Sequence, residues 1–166
     1  MSRKSKLSVV IALTALVTIV FALVFPAVCL ESGTLDSNAI TYIFGFTSTF
    51  GGKVVPHHNG LNCLLSFNVG AFLAIVFILL GAGLVYFFDK QISSYAFSLI
   101  LSLVALVLFL FAERLVNETN GFIRGFTEYL FTGFGAYVSV GLCSLIAIEN
   151  AIGIYILKSD TRRRRR

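Results

Sequence analysis

Four long, nearly unbroken apolar runs organise this chain: Leu7 to Leu30, about Val69 to Phe88, Ile92 to Ala112, and about Phe134 to Leu157. Each is long enough to cross a hydrocarbon core of about 30 Å at a helical rise of about 1.5 Å per residue. Lipid offers a bare backbone no hydrogen-bond partners, so runs of this length must satisfy their amides internally as helices. The alternating segments of about 10 residues that build a membrane β-barrel are absent. The pattern predicts an all-α membrane protein. It forms one integral domain with four transmembrane helices in an antiparallel bundle, ending in a basic tail at 158–166.

The polar stretches between the runs set the threading. A long loop of about residues 31 to 68 follows the first run, and a very short turn at Asp89 to Gln91 forces the second and third into a hairpin. A loop of about residues 113 to 133 precedes the fourth. Within the long loop, Ala39 to Phe50 is rich in β-branched and aromatic residues and is followed by Gly51 and Gly52, which suits a short β-hairpin or an interfacial segment. Gly121 to Phe131 mixes aromatic residues with charge, as expected of chain at the lipid headgroups.

Composition agrees: 57% of the 166 residues are hydrophobic and 13% charged, more apolar side chain than one water-soluble domain can bury. Charge then gives the direction. With the N-terminus inside, ten basic residues fall on the cytoplasmic side (Arg3, Lys4, Lys6, Lys90, Lys158 and Arg162 through Arg166), against Lys53, Arg114 and Arg124 outside. This positive-inside asymmetry places both termini in the cytoplasm of a multi-pass cell-membrane protein. Arg3, Lys4 and Lys6 ahead of an apolar stretch also suit a secretory signal. However, the stretch exceeds a usual signal core, and Val28 spoils both a small-x-small cleavage site and a lipoprotein-type cysteine box, so the expectation is an uncleaved span.

Cys29 and Cys63 are both expected at the outer surface, where an oxidising compartment would allow a disulfide across the long loop; the alternative is two small apolar residues. Cys143, within the fourth run, reads as inert packing. His57 and His58 with Cys63 are the one cluster with metal-ligand chemistry, but adjacent loop side chains diverge and no fourth ligand is well spaced, so no metal or other cofactor is expected. Pro56, Asn59 and Gly60 make a solvated turn the simpler reading. Asn117, Glu118 and Thr119 match an N-glycosylation acceptor, to which no weight is given.

Glu149, followed by Asn150, is the ionisable residue placed deepest in a span, about 5 Å from the midpoint of the fourth run. An acid at such depth costs about 2.5–3.5 kcal/mol on insertion scales and normally faces the protein interior or a water-filled cavity. No span supplies a counter-ion, so Glu149 is expected to be protonated, hydrogen-bonded, or in contact with water or a cation. Depth along the other helices puts Thr14, Gly81, Gly83 and Ser98 in the same layer, small and hydroxyl residues able to make room for the acid and bond it. The candidate polar site is Glu149, Asn150, Thr14 and Ser98. Against it, Tyr129 to Ile148 also supplies twenty mostly apolar residues, which would move Glu149 to the interface.

Gly133, Gly135, Ser139, Cys143 and Ala147 recur at nearly four-residue intervals, as do Gly70, Ala74 and Gly81 on the second run, allowing close helix approach within the chain, in a homo-oligomer or against a membrane-protein partner. Arg162, Arg163, Arg164, Arg165 and Arg166 are expected to contact anionic lipid headgroups, each basic residue contributing about 1 kcal/mol, as a flexible topological anchor. No folded recognition element accompanies the charge, so no nucleic-acid partner is expected.

This order of parts resembles the tetraspan layout of claudin-like proteins, as topology alone: the chain has no Trp and one cysteine in its outer loop, so no claudin residue or adhesion role carries over. It is also similar to small four-span membrane proteins of Gram-positive bacteria, with Ile43, Phe44 and Gly45 after the first span, a likeness that implies no particular activity. The function expected is a non-enzymatic structural or accessory membrane protein; the alternative is a small transporter or channel subunit using Glu149 as a proton or cation site. The His-rich cluster, the paired intramembrane Asp and the Ser with His of membrane-embedded enzymes are all missing.

Overall fold

A computed structural model describes residues 3–34, 37–54, 63–115 and 130–164. Four helices are long and apolar enough to cross a membrane: α1 (Arg3–Val24), α3 (Val69–Phe87), α4 (Ile92–Leu110) and α5 (Phe134–Arg164). Between α1 and α3 lie β1 (Pro26–Thr34), β2 (Ser37–Phe44), the short helix α2 (Gly45–Phe50), β3 (Gly52–Val54) and β4 (Cys63–Leu65). A 3-10 turn (Ala112–Leu115) and β5 (Leu130–Thr132) separate α4 from α5. In the ring of four long helices, α5 packs against α1 and α4, and α3 against the same two.

The strands gather at one end of this ring. β1 is the centre of a three-stranded sheet, antiparallel to β2 on one side and to β5 on the other, while β3 and β4 form a separate antiparallel pair. This corrects two sequence-based expectations. The first apolar run is not one helix to Leu30: α1 stops at Val24 and Pro26–Thr34 is a strand. Pro26 has no N–H to continue the helical ladder, and the β-branched Val28 beyond it packs at 0% exposure between sheet partners. The hairpin expected within Ala39–Phe50 instead pairs Ser37–Phe44 with the end of that first run, and the residues after it turn into α2.

The boundary of the last helix settles where Glu149 lies along it. Leu130–Thr132 is strand, held to β1 and followed by the Gly133 N–H donating to the Ala27 carbonyl at 2.8 Å, so α5 starts at Phe134 and not at Tyr129. At its other end α5 runs on to Arg164, where the sequence suggests a flexible tail. Arginine is a good helix former, the helix is already nucleated by the preceding turns, and cations suit its C-terminus.

Two apolar cores result. One lies among the long helices and includes Ile11, Ala74, Ile78, Tyr95, Ala105, Cys143 and Ile146; the other, with Val28, Ile43, Val54, Leu65 and Ala136, joins both sheets to the start of α5. Gly133, just before α5, and Gly135, Ser139, Cys143 and Ala147 along it are all buried, as are Ala74 and Gly81 on α3. A methyl on Gly81 would sit 3.0 Å from the Ser98 Oγ, whereas one on Gly83 or Gly141 would meet nothing within 4 Å. Gly81→Ala is therefore expected to cost about 1 kcal/mol by crowding α4. Gly83→Ala and Gly141→Ala should be neutral or mildly stabilising; thermal unfolding in detergent compares the three.

Candidate functional site

Three buried hydroxyls in the ring bond back to their own helix. Thr18 donates to the Thr14 carbonyl at 2.7 Å, Ser102 to that of Leu99 at 2.9 Å and Ser139 to that of Gly135 at 2.7 Å. Such bonds satisfy a polar group without linking helices. Two consecutive residues of α5 behave differently. Successive positions on a helix diverge by about 100°, so Glu149 and Asn150 address different neighbours. Thr14 on α1 places its hydroxyl 3.2 Å from Glu149 Oε1, and the Asn150 amide donates to Ser98 Oγ on α4 at 3.0 Å and to the Ile146 carbonyl at 2.9 Å.

The four candidate residues thus meet in two interhelical contacts at one depth, and Gly81 closes the layer by admitting Ser98; Gly83 takes no part. Glu149 is 8% exposed and Asn150 0%. Neither is fully satisfied. Glu149 Oε2 and Asn150 Oδ1 are buried with no hydrogen-bond partner. The Thr14 hydroxyl also lies 3.0 Å from the Val10 carbonyl and has one proton for two acceptors, so its hold on Glu149 is shared. An unmet oxygen acceptor in an apolar interior costs free energy. Two of them on consecutive residues, one a carboxylate, mark the layer as a place that could take up a proton or a cation as well as join helices.

The cysteines fall elsewhere. Cys29 is a free, buried thiol on β1, opposite Tyr42 and Phe131, as the alternative of a small apolar residue has it and without the possible disulfide; Cys63 is on β4, opposite Val54 in the other sheet. Burial pushes the Cys29 thiol above its ordinary pKa, away from the reactive thiolate. Cys143 packs at 0% exposure in the helical core. His57, His58, the Asn117 acceptor, most of the Gly121–Phe131 segment, Arg165 and Arg166 lie outside the described residues. Arg162 and Arg163 are exposed.

Sequence reasoning missed Tyr95 and Gly153. The Tyr95 ring, 1% exposed, packs against Gly153 so closely that a methyl there would collide with ring carbons, one turn from the Ser98–Asn150 bond. The signal was present as a buried-size match, Tyr against Gly, but it needs the relative rotation of α4 and α5. No protein-family model matches the chain, and no curated protein shows significant similarity to it.

Proposed function

We propose that the chain is a multi-pass membrane protein with a non-enzymatic, structural or accessory role. In this reading it is an antiparallel bundle in the bilayer with both termini cytoplasmic, engaging a membrane-protein partner or another copy. The observation that carries it is the Glu149–Asn150 step, which joins α5 to α1 through Thr14 and to α4 through Ser98. Hydroxyls and an acid sit inside, while Leu13, Leu16 and Val20 on α1, Phe97 and Ile100 on α4, and Leu145 and Ile148 on α5 are exposed. Apolar surface on that scale suits lipid. Helix-to-helix contacts support the antiparallel order: Thr14 meets Glu149 where Phe21 lies by Gly135, and Ser98 meets Asn150 where Tyr95 lies by Gly153.

The unpartnered Glu149 Oε2 and Asn150 Oδ1 favour a second reading, a small transporter or channel subunit with a proton or cation site in this layer. Glu149→Gln separates the two. Under the accessory reading the variant inserts, assembles and co-purifies with its native partners as the wild type does. Under the transport reading, pH- or cation-dependent flux in proteoliposomes disappears with the substitution, and an absence of flux in wild-type liposomes eliminates that reading. A pull-down from native membrane that returns no stoichiometric partner, with a monomer in solution, would sink the accessory role.

A further inference from the structure

We infer that the basic end of α5 seats one anionic phospholipid headgroup in a defined site, an inference that rests on the bilayer reading above. Because the helix continues to Arg164, the cations there are set on a rod with a fixed angular pattern. Tyr155, Lys158, Ser159, Arg162 and Arg163 follow one another at the three- and four-residue intervals of a single helix face. Together they line a depression of about 400 Å³. Asp160, the acid of this segment, is not among the residues lining it.

Depth selects the ligand. Taking Phe134 as the outer edge of the hydrocarbon, Tyr155 lies about 32 Å further along α5, at the opposite boundary of a core about 30 Å thick. Core plus the inner headgroup layer extend about 35–38 Å from Phe134, so Lys158 and Ser159 lie at the aqueous margin of that layer and Arg162 and Arg163 about 6 Å beyond it, their long side chains leaning back along the helix toward the phosphates. Tyr155, 74% exposed, offers a ring to the acyl boundary and a phenol to the polar layer. The Ser159 hydroxyl donates to the Ile156 carbonyl at 3.0 Å, so it forms a small floor and leaves the donating to its neighbours. A phosphodiester needs several donors and positive charge. Lys158, Arg162 and Arg163 supply both, outweighing the roughly half negative charge of the helix C-terminus.

The test is native mass spectrometry of protein released from bilayers of phosphatidylcholine and phosphatidylglycerol with matched acyl chains. The wild type is expected to retain one phosphatidylglycerol per chain in preference to phosphatidylcholine. Lys158→Gln with Arg162→Gln should lower that retention by about tenfold or more. Lys6→Gln with Lys90→Gln, which removes equal charge from other exposed positions at the same end, should change it by less than about twofold. Equal loss in both pairs would mean diffuse attraction and would overturn the site, as would equal retention of phosphatidylcholine. Displacement of the lipid by millimolar glycerol 3-phosphate would reassign the seat to a soluble phosphate. A carbonate wash distinguishes the levels of failure: a chain that stays in the membrane but retains no lipid refutes this site alone, and one that washes off refutes the bilayer reading with it.

Discussion

Gly45→Ala is expected to cost at least about 3 kcal/mol, at or beyond the upper end of what overpacking by a single methyl usually costs. Gly45 opens α2 and is the point where the strand-rich end of the protein is laid against α1. Its N–H donates to the Phe25 carbonyl at 3.0 Å, and its own carbonyl accepts from the Ser48 hydroxyl at 3.0 Å. A methyl at this position would be driven into the carbonyl oxygen of Ala22, with the Leu23 Cα just behind. Both obstacles are backbone, so no rotamer change relieves them; either α2 lifts away or the last turn of α1 unwinds. Thermal unfolding in detergent should show a fall in midpoint on the order of 10 °C, with Gly141→Ala as the matched control in open space. A Gly45→Ala protein within about 1 kcal/mol of the wild type would mean that α2 does not sit on α1 as described.

What the sequence disclosed divides along physical lines. Hydropathy reports the preferred solvent of a segment, so the four apolar helices were legible, but it is blind to secondary structure within an apolar run. That is why Pro26–Leu30 has the pattern of a membrane helix although its partners are Ile43, Tyr42 and Thr41 on β2, brought in by non-local pairing. Depth along a helix is a matter of counting at a fixed rise, and it placed Thr14, Ser98 and Gly81 level with Glu149 and Asn150. Rotation about each axis is not encoded that way: Gly83 was as good a candidate by depth as Gly81, yet a methyl there meets nothing. Arginine runs suggest a disordered tail by charge alone, and only continuity with α5 makes Lys158–Arg164 helical. Cys29 and Cys63 are alike in depth by the same counting, yet non-local pairing puts them in different sheets.

The angular information that sequence lacks is concentrated in Tyr95 and Gly153, and Tyr95→Ala is accordingly expected to cost about 3–5 kcal/mol. Among the described residues Tyr95 is the largest of the fully buried side chains, and its ring fills the space left by the missing side chain of Gly153. If lipid surrounds the bundle, helices gain little from hiding apolar surface from one another, so close packing of this kind holds α4 to α5 and a void there is not offset by solvent. Tyr95→Phe keeps the ring and should remain within about 1 kcal/mol of the wild type. The complementary change, Gly153→Leu, should be disruptive alone, and the double variant Tyr95→Ala with Gly153→Leu should recover at least half of the loss, because the volume has only changed sides. The same contact bears on the polar layer. Ser98 and Asn150 lie one turn away on the same two helices, and Asn150 adjoins Glu149, so loosening the ring's seat lets α5 turn and withdraws Glu149 from Thr14. Unfolding midpoints of the wild type and the four variants in one detergent decide the matter: a Tyr95→Ala chain as stable as Tyr95→Phe would show that the register of α5, and with it the geometry of Glu149, is set elsewhere.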